Sequence, residues 1–154
     1  MSLVDRNVTP SFRLSEFLRS ETAVRRGLDN TPPAAVLANL TNILAPGMQR
    51  VRDLLETPVQ ITSGYRSPEV NRAVGGSDTS QHVLGLAADF VSPTFGSPRS
   101  IARFLADNQA VLRYDQLIFE GTWVHISFTP GQPRGQVLTA HFAQGGVTYS
   151  PGIA

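Results

Sequence analysis

Residues 61–90 read ITSGYRSPEVNRAVGGSDTSQHVLGLAADF, and the punctuation of this stretch decides how the chain folds. A β-rich run, Val59 to Thr62, ends at Ser63-Gly64, and Tyr65 and Arg66 follow. Ser67-Pro68 then offers an N-cap and a first-turn proline for a short helix, which Gly75-Gly76 stops. A polar loop, Ser77 to Gln81, leads to His82 and a turn at Gly85. Leu86 to Val91 follows, small and apolar enough for a strand buried on both faces. Asp89 lies inside that strand. An unpaired buried carboxylate is costly, so Asp89 must meet a cation, a metal or several donors.

Working outward, residues 1–14 read as an extended N-terminal arm anchored by Phe12 and Leu14, and Ser15 as an N-cap for a short turn holding Phe17 and Leu18. The polar stretch around Arg25-Arg26-Gly27 reads as a solvated surface loop. Thr31-Pro32-Pro33 opens the clearest helix, whose apolar positions from Val36 to Leu55 keep a helical period across Pro46-Gly47. That predicts one helix kinked at Pro46, or two nearly collinear ones. Ser97-Pro98 opens another, burying Ile101, Phe104 and Leu105.

Gln116–Glu120 and Thr122–Phe128 read as an antiparallel pair joined around Gly121. A period of two places Val124, Ile126 and Phe128 on one face of the second run and Trp123, His125 and Ser127 on the other. Residues 134–154 read as a C-terminal hairpin, turned at Gly145-Gly146, and a tail. The expected fold is thus α+β, a single domain over 1–154 with a central antiparallel sheet and helices packed on it.

The 154 residues suffice for one core without a staple. Thirteen basic against twelve acidic side chains leave a charge of +1, which argues against a nucleic-acid or anionic-membrane partner. With no cysteine, any metal must be held by imidazole and carboxylate. No apolar h-region or spanning run is visible, so the expectation is a soluble chain without a signal peptide. Among the three histidines, His82 and His125 are presented by a sharp turn and a strand, and Asp89 by another strand. Two imidazoles and one carboxylate are a three-ligand set suited to catalytic zinc, though a satisfied structural histidine is the commoner use of each residue alone. His141, in the hairpin, reads as structural or exposed, and Trp123 as core under the metal, with the wall of a substrate groove as its alternative.

The string Ser80-x-His82-x-x-Gly85-x-Ala87-x-Asp89, preceded by Ser63-Gly64-Tyr65-Arg66-Ser67 and followed by Trp123-Val124-His125, resembles the zinc D-Ala-D-Ala carboxypeptidase and L-alanyl-D-glutamate endopeptidase family, of Hedgehog/DD-peptidase fold. The likeness runs from about Phe12 to Phe128 and is nearest the short phage and prophage branch. It implies one Zn2+ held by His82, Asp89 and His125, a substrate-gripping Arg66, and Ser80 either capping a loop or touching substrate. It implies metal-assisted amide hydrolysis in peptidoglycan stem peptides, with a carboxylate carrying the proton. Many relatives place that carboxylate three residues before the last histidine, where this chain has Thr122. Glu120 is the nearest acid, and strand alternation alone would turn it away from His125 unless Gly121 bends the chain. Asp115 and Asp78 are poorer alternatives. A rival reading is a zinc-stabilised wall-binding or structural module without catalysis, and a third is a hydrolase of free dipeptides. The implied setting is a host cytoplasm before holin-type release, or a phage particle assembly, with the bacterial wall as target.

Overall fold

The computed structural model describes residues 3–154. Among these described residues, seven α-helical segments and one π-helical turn surround a six-stranded sheet of order β1-β2-β4-β3-β5-β6. The strands are β1 (Gln60–Ser63), β2 (Ala87–Val91), β3 (Gln116–Phe119), β4 (Val124–Ser127), β5 (Gln136–Ala143) and β6 (Gly146–Pro151). Every neighbouring pair is antiparallel except β3 with β5. The sheet is therefore mixed rather than wholly antiparallel. The segment after β4 reverses the chain once and lays β5 on the far side of β3, so β5 runs against β4 and hence along β3.

The sheet's two faces differ as the alternation requires. Ala88, Phe90, Leu117, Phe119, Val124 and Ile126 join the core, with Leu40, Leu44, Met48 and Val51 of the long helical run and Ile101 and Leu105 of α6 (Pro98–Ala106). The other face carries a row that crosses the strands, in which Ser63, Asp89, His125 and Ile118 stand side by side.

The long helical run is α3 (Ala34–Asn39), a π turn (Leu40–Leu44) and α4 (Ala45–Leu55). Pro46 explains the middle segment. It has no N–H and its ring crowds the carbonyl four residues back. The preceding turn widens, and the Ala45 N–H bonds the carbonyl of Leu40, five residues earlier. The proline is thus absorbed by a π turn, a device the hydrophobic period does not reveal.

Three local expectations need correction. The first helix, α1 (Leu14–Leu18), starts before Ser15, with Arg13 at its N-cap. Asp5 reaches over from the N-terminal arm to accept the N–H and hydroxyl of Ser15 at 2.9 and 3.0 Å. The arm itself folds back, with Asn7 bridged to Arg13, rather than extending away, and its Phe12 is buried. The polar stretch after it is a helix, α2 (Glu21–Arg26), not a loop. Ser20 caps its start and Gly27, at φ +65°, ends it. A short helix, α7 (Gln109–Leu112), had no counterpart in the expected elements. Among the described residues, no helix is long and apolar enough to cross a membrane.

Candidate metal centre

Three separate segments deliver the site. Asp89 and His125 are register partners on β2 and β4. His82 arrives from the loop between α5 (Pro68–Ala73) and β2, in a turn that Ser80 stabilises by accepting the His82 N–H at 3.2 Å. Ser80 therefore caps. Gly85 lies at φ +71°, and a Cβ there would come within 2.8 Å of the Val36 carbonyl oxygen, so only glycine lets the loop turn against α3.

The histidine is fixed from behind. Its Nδ1 donates to the Gly64 carbonyl at 2.7 Å, which assigns Nε2 as the atom with a free lone pair. Gly64 can take this position because it has no side chain: a Cβ would lie 2.5 Å from the Phe17 carbonyl oxygen. The next residue, Tyr65, donates its N–H to that same oxygen at 2.7 Å. The role of the Gly64 carbonyl was not read from the sequence, although Ser63-Gly64-Tyr65-Arg66 belonged to the motif.

His82 Nε2 is buried and has no hydrogen-bond partner. It points to Asp89 Oδ1 at 3.3 Å, and His125 Nδ1 lies 3.0 Å from the same oxygen. One ligand atom from each residue falls within 4.8 Å of the others. A tetrahedral ion with bonds of about 2.0–2.1 Å separates its ligands by about 3.3 Å, close to both separations at Asp89 Oδ1, so the group suits a small divalent metal. A buried, unpartnered imidazole nitrogen is otherwise costly, and an ion there removes the cost.

The charge states suit the same purpose. Burial pushes the His82 pKa down, against the pull of Asp89, which keeps the ring neutral. Burial alone would raise Asp89, but the two imidazoles around it and their hydrogen bonds hold the carboxyl well below the usual range. Arg66 Nη2 sits 3.5 Å from Asp89 Oδ2. The same guanidinium donates from Nε to Ser63 Oγ at 3.3 Å and from Nη1 to Asn71 Oδ1 at 3.1 Å. Arg66 thus backs the carboxylate, and 17% of its side chain stays accessible.

Glu120 lies beyond the end of β3 in a tight turn. Its N–H bonds the Trp123 carbonyl at 3.1 Å, and its own carbonyl accepts the Thr122 N–H at 3.0 Å. The bend at Gly121, φ +80°, breaks the strand alternation. The Glu120 carboxylate then accepts the Trp123 indole N–H. Its pKa is raised, chiefly by burial and then by the charge of Asp89, with His125, the indole and Arg66 opposing. Those influences put Glu120 in the field of the metal centre. Thr122 is exposed. Asp115 is bound by Arg134 in a fork of 2.7–3.1 Å, and Asp78 is exposed. Trp123 is not core: it is partly exposed and packs on Phe142, ring centroids 6.2 Å apart. His141 is exposed and bonded to Ser150.

A family model described as Peptidase M15 matches residues 10–127. The chain belongs to the peptidase M15 family. No curated protein matches it. The match spans the arm's anchor, the helical run and β1 to β4, and it takes in every residue of the metal centre. As an M15 peptidase the chain acts on a peptide substrate. The family is typically metal-dependent, and His82, Asp89 and His125 form a group able to bind a metal.

Proposed function

We propose that this M15 peptidase is a zinc enzyme that hydrolyses an amide bond in peptidoglycan stem peptides. The observation that carries the reading is the buried Nε2 of His82, unpartnered and aimed at Asp89 and His125, in a chain of this family. His82, Asp89 and His125 would hold the ion, and two imidazoles with one carboxylate favour zinc over calcium or magnesium. Zinc supplies Lewis-acid polarisation of the scissile carbonyl and acidifies a water molecule.

The protein's own groups do the rest. Glu120 takes the proton of the attacking water and returns it to the leaving amine, and its burial makes it a stronger base than a solvated glutamate. The indole of Trp123 fixes the carboxylate's orientation. Arg66 backs the outer oxygen of Asp89 from 3.5 Å, and its accessible edge meets a substrate carbonyl or carboxylate. The wall substrate and the phage setting, whether endolysin or virion component, rest on the resemblance of the Ser80–Asp89 string and of Trp123-Val124-His125.

The test is mass spectrometry of purified wall fragments after incubation with zinc-loaded protein, beside a chelated sample and His125→Ala. A single new peptide terminus, absent from both controls, establishes the activity and names the bond. Intact fragments across several wall types, with zinc bound, would replace catalysis by the binding-module reading.

A further inference from the structure

A cavity of about 450 Å³ lies outside the metal centre, between α2, α5 and β1. Three arginines, Arg19, Arg25 and Arg66, line it against a single acid, Glu21. All four residues of β1 form its floor, and β1 is an edge strand. Among the described residues, no hydrogen bond from another segment reaches the backbone of Gln60–Ser63 on the side away from β2. An open row of backbone donors and acceptors is a template for an added strand.

The groove also leads somewhere. Ser63, the last residue of β1, stands opposite Asp89, and Arg66 both lines the cavity and lies 3.5 Å from Asp89 Oδ2. At about 3.3 Å per residue, the four-residue edge accommodates about 13 Å of extended chain.

We propose that this groove binds an extended, carboxylate-bearing segment of the peptide substrate. The segment adds as a further strand along the free edge of β1, with its carboxylate held by Arg19 and Arg25 and its end directed at the metal centre. The inference rests on the peptidase reading and extends it to the acidic residue of the stem. Charge and backbone together select the occupant. A free phosphate would use the arginines but not the strand edge. A second copy paired through β1 would bring the two arginine sets together, which repulsion opposes.

The test measures binding to zinc-loaded protein by fluorescence anisotropy with three labelled stem tetrapeptides. One has its glutamyl carboxylate free, one has it as a carboxamide, and one has alternate backbone amides N-methylated. The free carboxylate should bind about tenfold tighter than the carboxamide, the size of one charge-assisted contact at an open site. Arg19→Gln with Arg25→Gln should erase that preference, and Arg19→Lys with Arg25→Lys should restore part of it. N-methylation should weaken binding about tenfold or more through loss of the strand bonds. Equal affinity for carboxylate and carboxamide, a preference that survives the double glutamine variant, or indifference to N-methylation overturns the proposal. Cleavage is followed in the same samples. A preference without cleavage supports the groove while removing the peptidase reading.

Discussion

At the centre of the sheet, the opposed residues Asp89 and His125 are 6% and 9% exposed; in the β5–β6 hairpin, the opposed residues Phe142 and Val147 are 59% and 37% exposed. One region buries polar groups and the other exposes apolar ones, each the reverse of ordinary practice. In the first, strands on both sides and helices behind clamp short segments, so that an imidazole can be held without a partner. In the second, the parallel ladder with β3 and a few bonds near Thr139 tie the hairpin down, and Tyr149 too is exposed. The family match ends at residue 127, before the hairpin begins. The chemistry therefore belongs to the clamped half, and the hairpin meets it along the β3–β5 ladder, where Phe142 packs on Trp123, and where the charge of Glu120 reaches Tyr149.

The severest test of that division is Glu120→Gln, at the border between the two. With zinc retained, hydrolysis should fall by about 10²–10⁴-fold, the usual contribution of a positioned acid–base group. Unchanged activity would remove Glu120 as the base. Next in size is one substitution made in both regions. In Gly64→Ala, the new Cβ collides with the Phe17 backbone and displaces the carbonyl that orients His82. Zinc affinity, measured by chelator competition, should drop about 10–100-fold, as for other lost second-layer supports. Gly145→Ala in the hairpin meets nothing within 4 Å and should leave zinc affinity in place.

A smaller effect joins the halves. Asp115 accepts from the Arg134 backbone and guanidinium on the way into the hairpin, and from Gln81, the neighbour of His82. These partners, Arg134 first, lower the Asp115 pKa from its ordinary 3.8. A lowered folded value means that the stabilisation is present above pH 3.8 and is lost as pH falls through the folded pKa. Asp115→Asn should cost about 1 kcal/mol at pH 7, modest because Arg134 is largely exposed. Urea unfolding at pH 7 and in acid checks the sign: the two proteins should converge as the pH falls below 3.8.

These contrasts also explain which parts were legible in the sequence. Local punctuation carried the helix after Ser67-Pro68, the hairpin at Gly145-Gly146 and the facing of His125, because caps, glycines and a period of two act within a few residues. The convergence of His82 with Asp89 and His125 needs a crossing of strands that no local pattern encodes, so motif resemblance had to supply it. The Gly64 carbonyl behind His82 was hidden because a backbone acceptor leaves no residue-type signal beyond the missing side chain. Glu120 was legible only as the nearest acid; the turn at Gly121, which overrides strand alternation, decided its place. The parallel β3–β5 junction was invisible for a similar reason, since a hydrophobic strand does not say on which side of its neighbour it will lie.

Trp123 offers the finest test, since it holds Glu120 with its indole N–H and packs its ring on Phe142. A donor to a carboxylate stabilises the ionised form, and the indole is among the influences that lower the Glu120 pKa against burial. Trp123→Phe keeps an aromatic ring for Phe142 but removes that donor, so the pKa of Glu120 should rise further. The base is the ionised form, and activity is lost as pH falls through its pKa. The acid limb of the pH–rate profile should therefore move to higher pH, with the rate on the alkaline side changed only a few-fold because the proton carrier remains. Phe142→Ala keeps the donor and removes the ring contact, and its acid limb should stay where the wild-type limb lies. A limb that moves in Phe142→Ala and not in Trp123→Phe would mean that the hairpin, rather than the indole bond, governs Glu120, and the boundary between the two halves would have to be redrawn through β5.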